Sequence, residues 1–297
     1  MNEGEWLADH FQKHRSHLRG VAYRMLGSVS DADDALQEAW LRIADQHPQS
    51  IENMEAWLTT VVGRVCLNVL RARRARRDQP SAVHVPDPIV SLDESTDPEQ
   101  EALVADSVGL ALLVVLDSLS PAERLAFVLH DVFGVPFADI GTVLHRSEAA
   151  AQQLASRARR RVQGSPKPDP DLARQREVVE AFFAASRDGD LDALAVVLDP
   201  DVELRIDGGV LRQEASLSLR GAPSVAAYST TYSKLYPFVR PALVNGAAGA
   251  VVAPTGRAFS VMAFTVTHGK ITLIAALIDP QRLGQLDIVI PPVQERP

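Results

Sequence analysis

The sequence predicts a multidomain chain: two all-α regions joined by an acidic linker, followed by an α+β domain. Three observations carry that prediction. Apolar residues recur with the 3.6-residue period of helices over 5–77 and again over 110–163. Prolines and acids crowd the interval between those stretches, and short alternating segments dominate after residue 198. At 297 residues the chain is long for one domain, and 46% hydrophobic content is enough for several cores. The limits read as a first domain at 1–77, a linker at 78–107, a second domain at 108–165, a connector at 166–171, a third domain at 172–283 and a tail at 284–297.

In the first domain Trp6, Leu7, Phe11, Leu18, Val21, Ala22 and Met25 keep a helical rhythm up to Gly27, which ends it. Ser30-Asp31-Ala32-Asp33 reads as a capping box opening a helix whose buried stripe is Leu36, Ala39, Trp40 and Ile43. The far side of that helix sets Leu41 among Asp31, Asp34, Gln37, Glu38 and Arg42. An apolar residue exposed among carboxylates suggests a protein-binding surface. A polar loop at 45–53 leads to a helix at 54–74 with an apolar stripe at 54, 57, 58, 61, 62, 65 and 69. Arg64, Arg71 and Arg74 lie along one flank of it, and Arg73, Arg76 and Arg77 complete a basic cluster at its end.

The linker carries Pro80, Pro86, Pro88 and Pro98 among many acids, a composition that a disordered tether shares. Helices at 110–119 and 121–133 then meet at Ser120-Pro121, an N-cap and first-turn pair. Phe137, Ile140 and Leu144 mark another helix, a turn follows at His145-Arg146, and Ser147 caps the next helix. Ala151, Leu154, Ala155, Ala158 and Val162 share one face of that last helix, and Gln152, Gln153, Ser156, Arg157 and Arg160 share the other. This is a helix-turn-helix pattern. Gln pairs with adenine edges in the major groove, and Arg serves guanine or the phosphate backbone.

In the third domain Leu172, Val178, Val179, Phe182 and Phe183 predict an amphipathic helix, and a second helix runs over 190–198. A strand at 202–206 turns at Asp207-Gly208-Gly209. Strands at 239–245, 250–253 and 258–267 follow, and a His268-Gly269 hairpin leads into 270–278, giving a curved antiparallel meander.

Composition removes several classes of function. A single cysteine, Cys66, excludes an internal disulfide and reads as buried filler. The histidines show no H-x-x-x-H or H-E-x-x-H set, and no phosphate-cradling glycine motif occurs, so no metal or other cofactor is expected. Net charge of −8 argues against indiscriminate coating of nucleic acid, and confines DNA binding to two arginine clusters, the one at 71–77 and a second formed by Arg157, Arg159, Arg160 and Arg161. No signal-peptide core and no long apolar run are present, so a cytoplasmic location without membrane contact is expected. Asp207 and His268 are the candidates for a general base, and both sit in expected turns. Tyr228, Tyr232 and Tyr236 fall at helical spacing and read either as a pocket lining or, the favoured reading, as a packed helix face.

Asp31-Ala32-Asp33-Asp34-Ala35-Leu36-Gln37-Glu38-Ala39-Trp40-Leu41-Arg42, then Trp57-Leu58 with an Arg-rich helix end, then Ser147-Glu148 and Arg157-Ala158-Arg159 stand in the order seen in extracytoplasmic-function sigma factors, which residues 5–163 resemble. The resemblance implies a sigma region 2 bundle and a sigma region 4 helix-turn-helix, with core RNA polymerase and promoter DNA as partners and no enzymatic activity. It implies that Asp31, Asp34, Gln37, Glu38, Leu41 and Arg42 dock on the polymerase. Asn53, Trp57, Arg64, Asn68, Arg71 and Arg74 would meet the unpaired −10 element. Arg146, Ser147, Glu148, Gln152, Gln153, Ser156, Arg157 and Arg160 would meet the −35 duplex. The linker would thread the RNA exit path of the polymerase.

Residues 172–283 resemble the SnoaL-like, NTF2-like cone fold, which occurs fused to such factors and there implies an influence on core binding and promoter activity. Asp207-Gly208-Gly209-Val210 is similar to a DGGG-type loop, and Asp279-Pro280-Gln281-Arg282-Leu283 to an NPDKL-type end. Val85-Pro86-Asp87-Pro88 is similar to a Trp-Leu-Pro-Glu-Pro motif without its Trp. Asp207, Gly208, Gly209, Asp279, Pro280 and Leu283 are thereby implied as regulatory, through intramolecular contacts of the third domain with the helical ones. A ligand-sensing helix-turn-helix regulator and an NTF2-like isomerase or cyclase with appended DNA-binding helices stay open as alternatives. So does a small ligand of unidentified chemistry.

Overall fold

Helical periodicity at the N-terminus resolves into α1 (Glu3–Lys13), α2 (Arg15–Leu26), α3 (Val29–Ile43) and α4 (Met54–Arg76). The computed structural model describes residues 3–44, 51, 53–76, 83–92, 109–164, 168–286, 288 and 290. Most of the expected loop at 45–53, most of the linker, Arg77, part of the connector and most of the tail lie outside them. The continuous rhythm up to Gly27 is broken once, at His14, and Gly27 closes α2 in the left-handed conformation. The α3 cap is Ser28, not Ser30: its hydroxyl accepts from the Asp31 N–H, and Ser30 already lies within the helix.

The described chain forms two compact units. In the first, Leu18, Val21 and Met25 of α2, Ala32, Leu36 and Ile43 of α3, and Leu58, Val62, Val65 and Cys66 of α4 are buried. Burial pushes the Cys66 thiol up to about 12, as befits filler rather than a nucleophile. Helices α5 (Leu110–Asp117), α6 (Pro121–Phe127, continued by a π turn over Val128–Val132), α7 (Phe137–Leu144) and α8 (Glu148–Gln163) complete that unit from residue 112 onward. The helical groups expected as two domains thus share one unit. Gly63 lets α4 and α6 approach, since a Cβ there would press on Leu125 and Leu129. Arg124 of α6 is buried, donates from Nε to the Arg24 carbonyl at 3.1 Å and pairs with Asp117 at 3.4 Å. Burial draws its guanidinium down to about 10 against the opposing pull of Asp117.

The second unit holds 83–92, 109–111 and the described residues from 168 onward. Asp171 caps α9 (Leu172–Asp188) and Asp190 caps α10 (Leu191–Val197), each through its carboxylate. Strands β1 (Val90–Ser91), β2 (Leu198–Asp207), β3 (Leu217–Arg220), β4 (Val239–Val244), β5 (Ala247–Val252), β6 (Ser260–Thr267) and β7 (Lys270–Leu277) form one sheet in the order β1-β4-β5-β6-β7-β2-β3. Helix α11 (Ala222–Thr230) lies between β3 and β4 in sequence, and α12 (Pro280–Leu283) follows β7.

The expected meander exists as β4 to β7, but the sheet is mixed, because β2 runs parallel to β7. The connection through α11 carries the chain from β3 at one edge of the sheet across to β4 near the other. Asn245-Gly246 and His268-Gly269, all with positive φ, make the tight hairpin turns. Asp169 accepts from the N–H groups of Gly269 and His268, which hold its carboxyl below the usual range. Val179, Phe182, Leu194, Leu198, Leu204, Phe264, Ile271 and Ile274 build the core between helices and sheet.

Candidate functional site

The helix-turn-helix is set by two backbone details. His145 takes φ of 55° at the end of α7, and the Arg146 N–H donates to the Gly141 carbonyl at 2.9 Å. That turn approaches so closely that a Cβ on Gly141 would sit 2.8 Å from the Arg146 oxygen. Ser147 then caps α8 by accepting from the Ala150 N–H. Ala151, Leu154, Ala155 and Ala158 are buried, while Arg146, Ser147, Glu148, Gln152, Gln153, Ser156, Arg157 and Arg160 are all exposed. Gln152 donates to Glu148 at 3.3 Å. Among the described residues no ion pair reaches Arg157 or Arg160. Arg159 and Arg161 instead anchor the helix, to Asp131 and Glu123 respectively.

On α4, Asn53 serves as the cap, its side-chain oxygen accepting from the Ala56 N–H at 3.0 Å. Arg64, Asn68, Arg71 and Arg74 are exposed, and Trp57 is half-buried. Asn53, Trp57 and Arg64 line one cleft of about 690 Å³, together with Asp139 and Thr142 of α7. The basic cluster divides in two. Arg73 turns inward to pair with Asp31 at 2.6 Å, so that carboxylate is already engaged within the fold. The remaining residues expected at a partner surface, Asp34, Gln37, Glu38, Leu41 and Arg42, are exposed, Leu41 to 64%. Glu38 and Arg42 pair along the helix at 2.8 Å.

In the second unit the expected regulatory residues meet around the segment 83–91. Asp207, only 3% exposed, accepts from the Val85 N–H at 2.9 Å and faces His84 at 3.3 Å and Arg282 at 2.6 Å. Arg282 also donates to the Val85 carbonyl and to Asp87. Burial opposes ionisation of Asp207, but His84, the Val85 N–H and Arg282 outweigh it and hold the carboxyl far below its usual range. Arg282 is raised in turn, Asp87 and Asp207 overcoming the cost of burial. Asp279 caps α12, placing Arg282 one turn on, and Leu283 is buried. Gly209 has φ of 60°, and a Cβ on it would overlap the Asp279 carboxylate; one on Gly208 would overlap the Arg212 carbonyl.

Further along the same segment, Ile89 exchanges two hydrogen bonds with Asn245, and Val90–Ser91 pairs as β1 with β4. Val85, Pro86, Asp87, Pro88, Ile89 and Val90 are all buried. Sequence reasoning singled out both the Val85–Pro88 motif and the 279–283 segment but passed over Arg282, His84 and Asn245. An arginine within the 279–283 motif, set against an acidic linker motif, was the available signal. His268 sits in a hairpin turn away from this cluster. Tyr228, Tyr232 and Tyr236 border a cavity, the less favoured of their two expected readings, because α11 ends at Thr230 and a 3-10 turn over Ser233–Phe238 takes its place.

Comparison with known proteins covers both units. Residues 10–76 match the family model for sigma-70 region 2, and residues 109–162 match that for sigma-70 region 4. The ECF RNA polymerase sigma factor SigJ of Mycobacterium tuberculosis is 39% identical over 287 residues, spanning 92% of this chain and 91% of the relative. The probable ECF RNA polymerase sigma factor SigI of the same species is 35% identical over 96% of this chain and 98% of its own. The crystal structure of SigJ superposes with a TM-score of 0.74 at 36% identity, over 94% of this chain and 99% of that one.

Proposed function

The chain belongs to the extracytoplasmic-function sigma factors of RNA polymerase, and on that footing we propose a division of labour among its surfaces. As a member of that family it directs core polymerase to promoters. The exposed α8 face carries −35 recognition, with Gln152, Gln153 and Arg157 reaching base edges and Arg146 and Arg160 serving phosphates. Arg64, Asn68, Arg71 and Arg74 grip the melted −10 strand beside Trp57, a platform for an unstacked base. Asp34, Gln37, Glu38, Leu41 and Arg42 dock on the polymerase.

The second unit acts as a restraint rather than a catalyst. A general base works best with a pKa near neutrality, whereas Asp207 is held far lower and spent on Arg282 and the Val85 N–H. Residues 83–91 cannot lie in this cradle and thread the polymerase at once. Core binding therefore has to compete with the cradle, which sets how readily the factor engages. The observation that carries this reading is Arg282 bridging Asp207, Asp87 and the Val85 carbonyl.

Run-off transcription with purified core polymerase tests it. Arg282→Ala is expected to raise initiation at limiting core enzyme, and equal activity of the two proteins removes the restraint. Loss of all promoter-dependent transcript in Gln152→Ala with Arg157→Ala, with core binding retained, tests the recognition face.

A further inference from the structure

The first two turns of α8 carry no basic side chain. Glu148, Ala149, Gln152 and Gln153 are the exposed residues there, and the arginines of this face begin at Arg157, about 14 Å further along the axis. A recognition helix meets base edges with its N-terminal residues, so the side chains nearest the bases are an acid and two amides.

Glu148 is out of keeping with a DNA-facing surface. Phosphates repel a carboxylate, and among the described residues no ion pair neutralises this one. Its place at the positive end of the α8 dipole is favourable, but that supplies no donor for its outer oxygen. Gln152, one turn on, occupies the other oxygen: Nε2 donates to Glu148 Oε1 at 3.3 Å. The contact also fixes the amide, since the reverse orientation would set two acceptors against each other. What the pair presents outward is Glu148 Oε2, the Gln152 carbonyl and one remaining amide N–H.

In the major groove guanine and thymine offer these groups acceptors, whereas cytosine and adenine each offer an exocyclic amino group. Cytosine shows that amino group alone, which suits a carboxylate. Adenine sets an acceptor beside it, which suits an amide. We propose that Glu148 and Gln152 act as one reader of adjacent cytosine and adenine bases in the −35 element, Glu148 accepting from the cytosine amino group and Gln152 pairing with adenine. Their mutual hydrogen bond holds both side chains in place before DNA arrives. The inference rests on α8 as the −35 reader and names the bases that face its N-terminal half.

The test is a selection. Core polymerase loaded with the full chain is challenged with duplex DNA randomised across both promoter elements, and the retained molecules are sequenced. The upstream of the two selected blocks is expected to hold adjacent cytosine and adenine, with cytosine preferred over guanine roughly tenfold. Glu148→Gln, which keeps the shape and adds a donor, loses that preference and leaves the downstream block as it was. Gln152→Ala loses the adenine and weakens the cytosine preference with it, because the two side chains hold each other. Arg160→Ala lowers retention without changing the selected sequence, as a phosphate contact does. Binding to core polymerase shows that each variant is folded. An upstream block without adjacent cytosine and adenine, or one that Glu148→Gln selects with undiminished preference, overturns the pairing. An upstream block that is missing, or that no α8 substitution alters, removes α8 as the reader and this inference with it, so the two failures are told apart.

Discussion

On α8, Arg157 and Arg160 stand in solvent with no ion pair among the described residues, whereas Arg282 in the other unit is largely buried between Asp87, Asp207 and the Val85 carbonyl. The same guanidinium does opposite work in the two places. A buried one with matched acceptors stabilises the fold around it and cannot recognise anything else without breaking that fold. An exposed one contributes little to stability and keeps its donors available for a phosphate or a guanine. Where an arginine's partners already are separates a recognition surface from an internal latch, and composition does not.

The strongest way to break that contrast is Arg282→Ala, which leaves Asp87 and Asp207 buried without their counter-charge. A loss of about 3–5 kcal/mol is expected in urea unfolding of the second unit, with faster hydrogen exchange at the Val85 and Ile89 amides. A loss below about 1 kcal/mol would make the latch a surface pair in disguise. Next in size, Gln152→Ala and Arg157→Ala should each cost about 1–3 kcal/mol in −35 duplex affinity where they read a base. The unfolding midpoint should not move.

Smaller still, Leu41→Ala should change stability by less than about 0.5 kcal/mol while weakening core polymerase in a pull-down by about 1 kcal/mol or more. The smallest effect concerns pH. Because the folded Asp207 carboxyl lies below its unfolded value of about 3.9, its contribution is present above that pH and lost as pH falls through the folded value. Unfolding from pH 8 to 5 should show no loss attributable to it, as judged against Asp207→Asn.

Local features of this chain were legible in its sequence. The α8 faces followed from spacing alone, as did the Leu41 surface, because both are read along one helix. Arg73 was not: it shares a cluster with Arg71 and Arg74 yet turns inward to Asp31, and which flank an arginine takes depends on its neighbours in space. The cradle was less legible again. Val85 and Asp207 are 122 positions apart and Asp87 and Arg282 are 195 apart, and no periodicity reports pairings over such separations. Gln175 shows the same limit: a polar residue of α9, it is buried, donating to the Asp169 carbonyl and accepting from the Ala248 N–H, partners that lie outside its own helix.

The short pairing of β1 with β4 has an effect that reaches past regulation. Beyond Leu243 and Val244, the outer side of β4 has no neighbouring strand among the described residues, and there Pro241 removes a donor from the middle of the strand. Half of this border is thus blunted by chemistry that cannot leave, and half by a segment that the proposed restraint would release. A molecule that has surrendered residues 83–91 exposes ready backbone partners beside Val244, so freed copies become adhesive toward extended chain from any source, including one another.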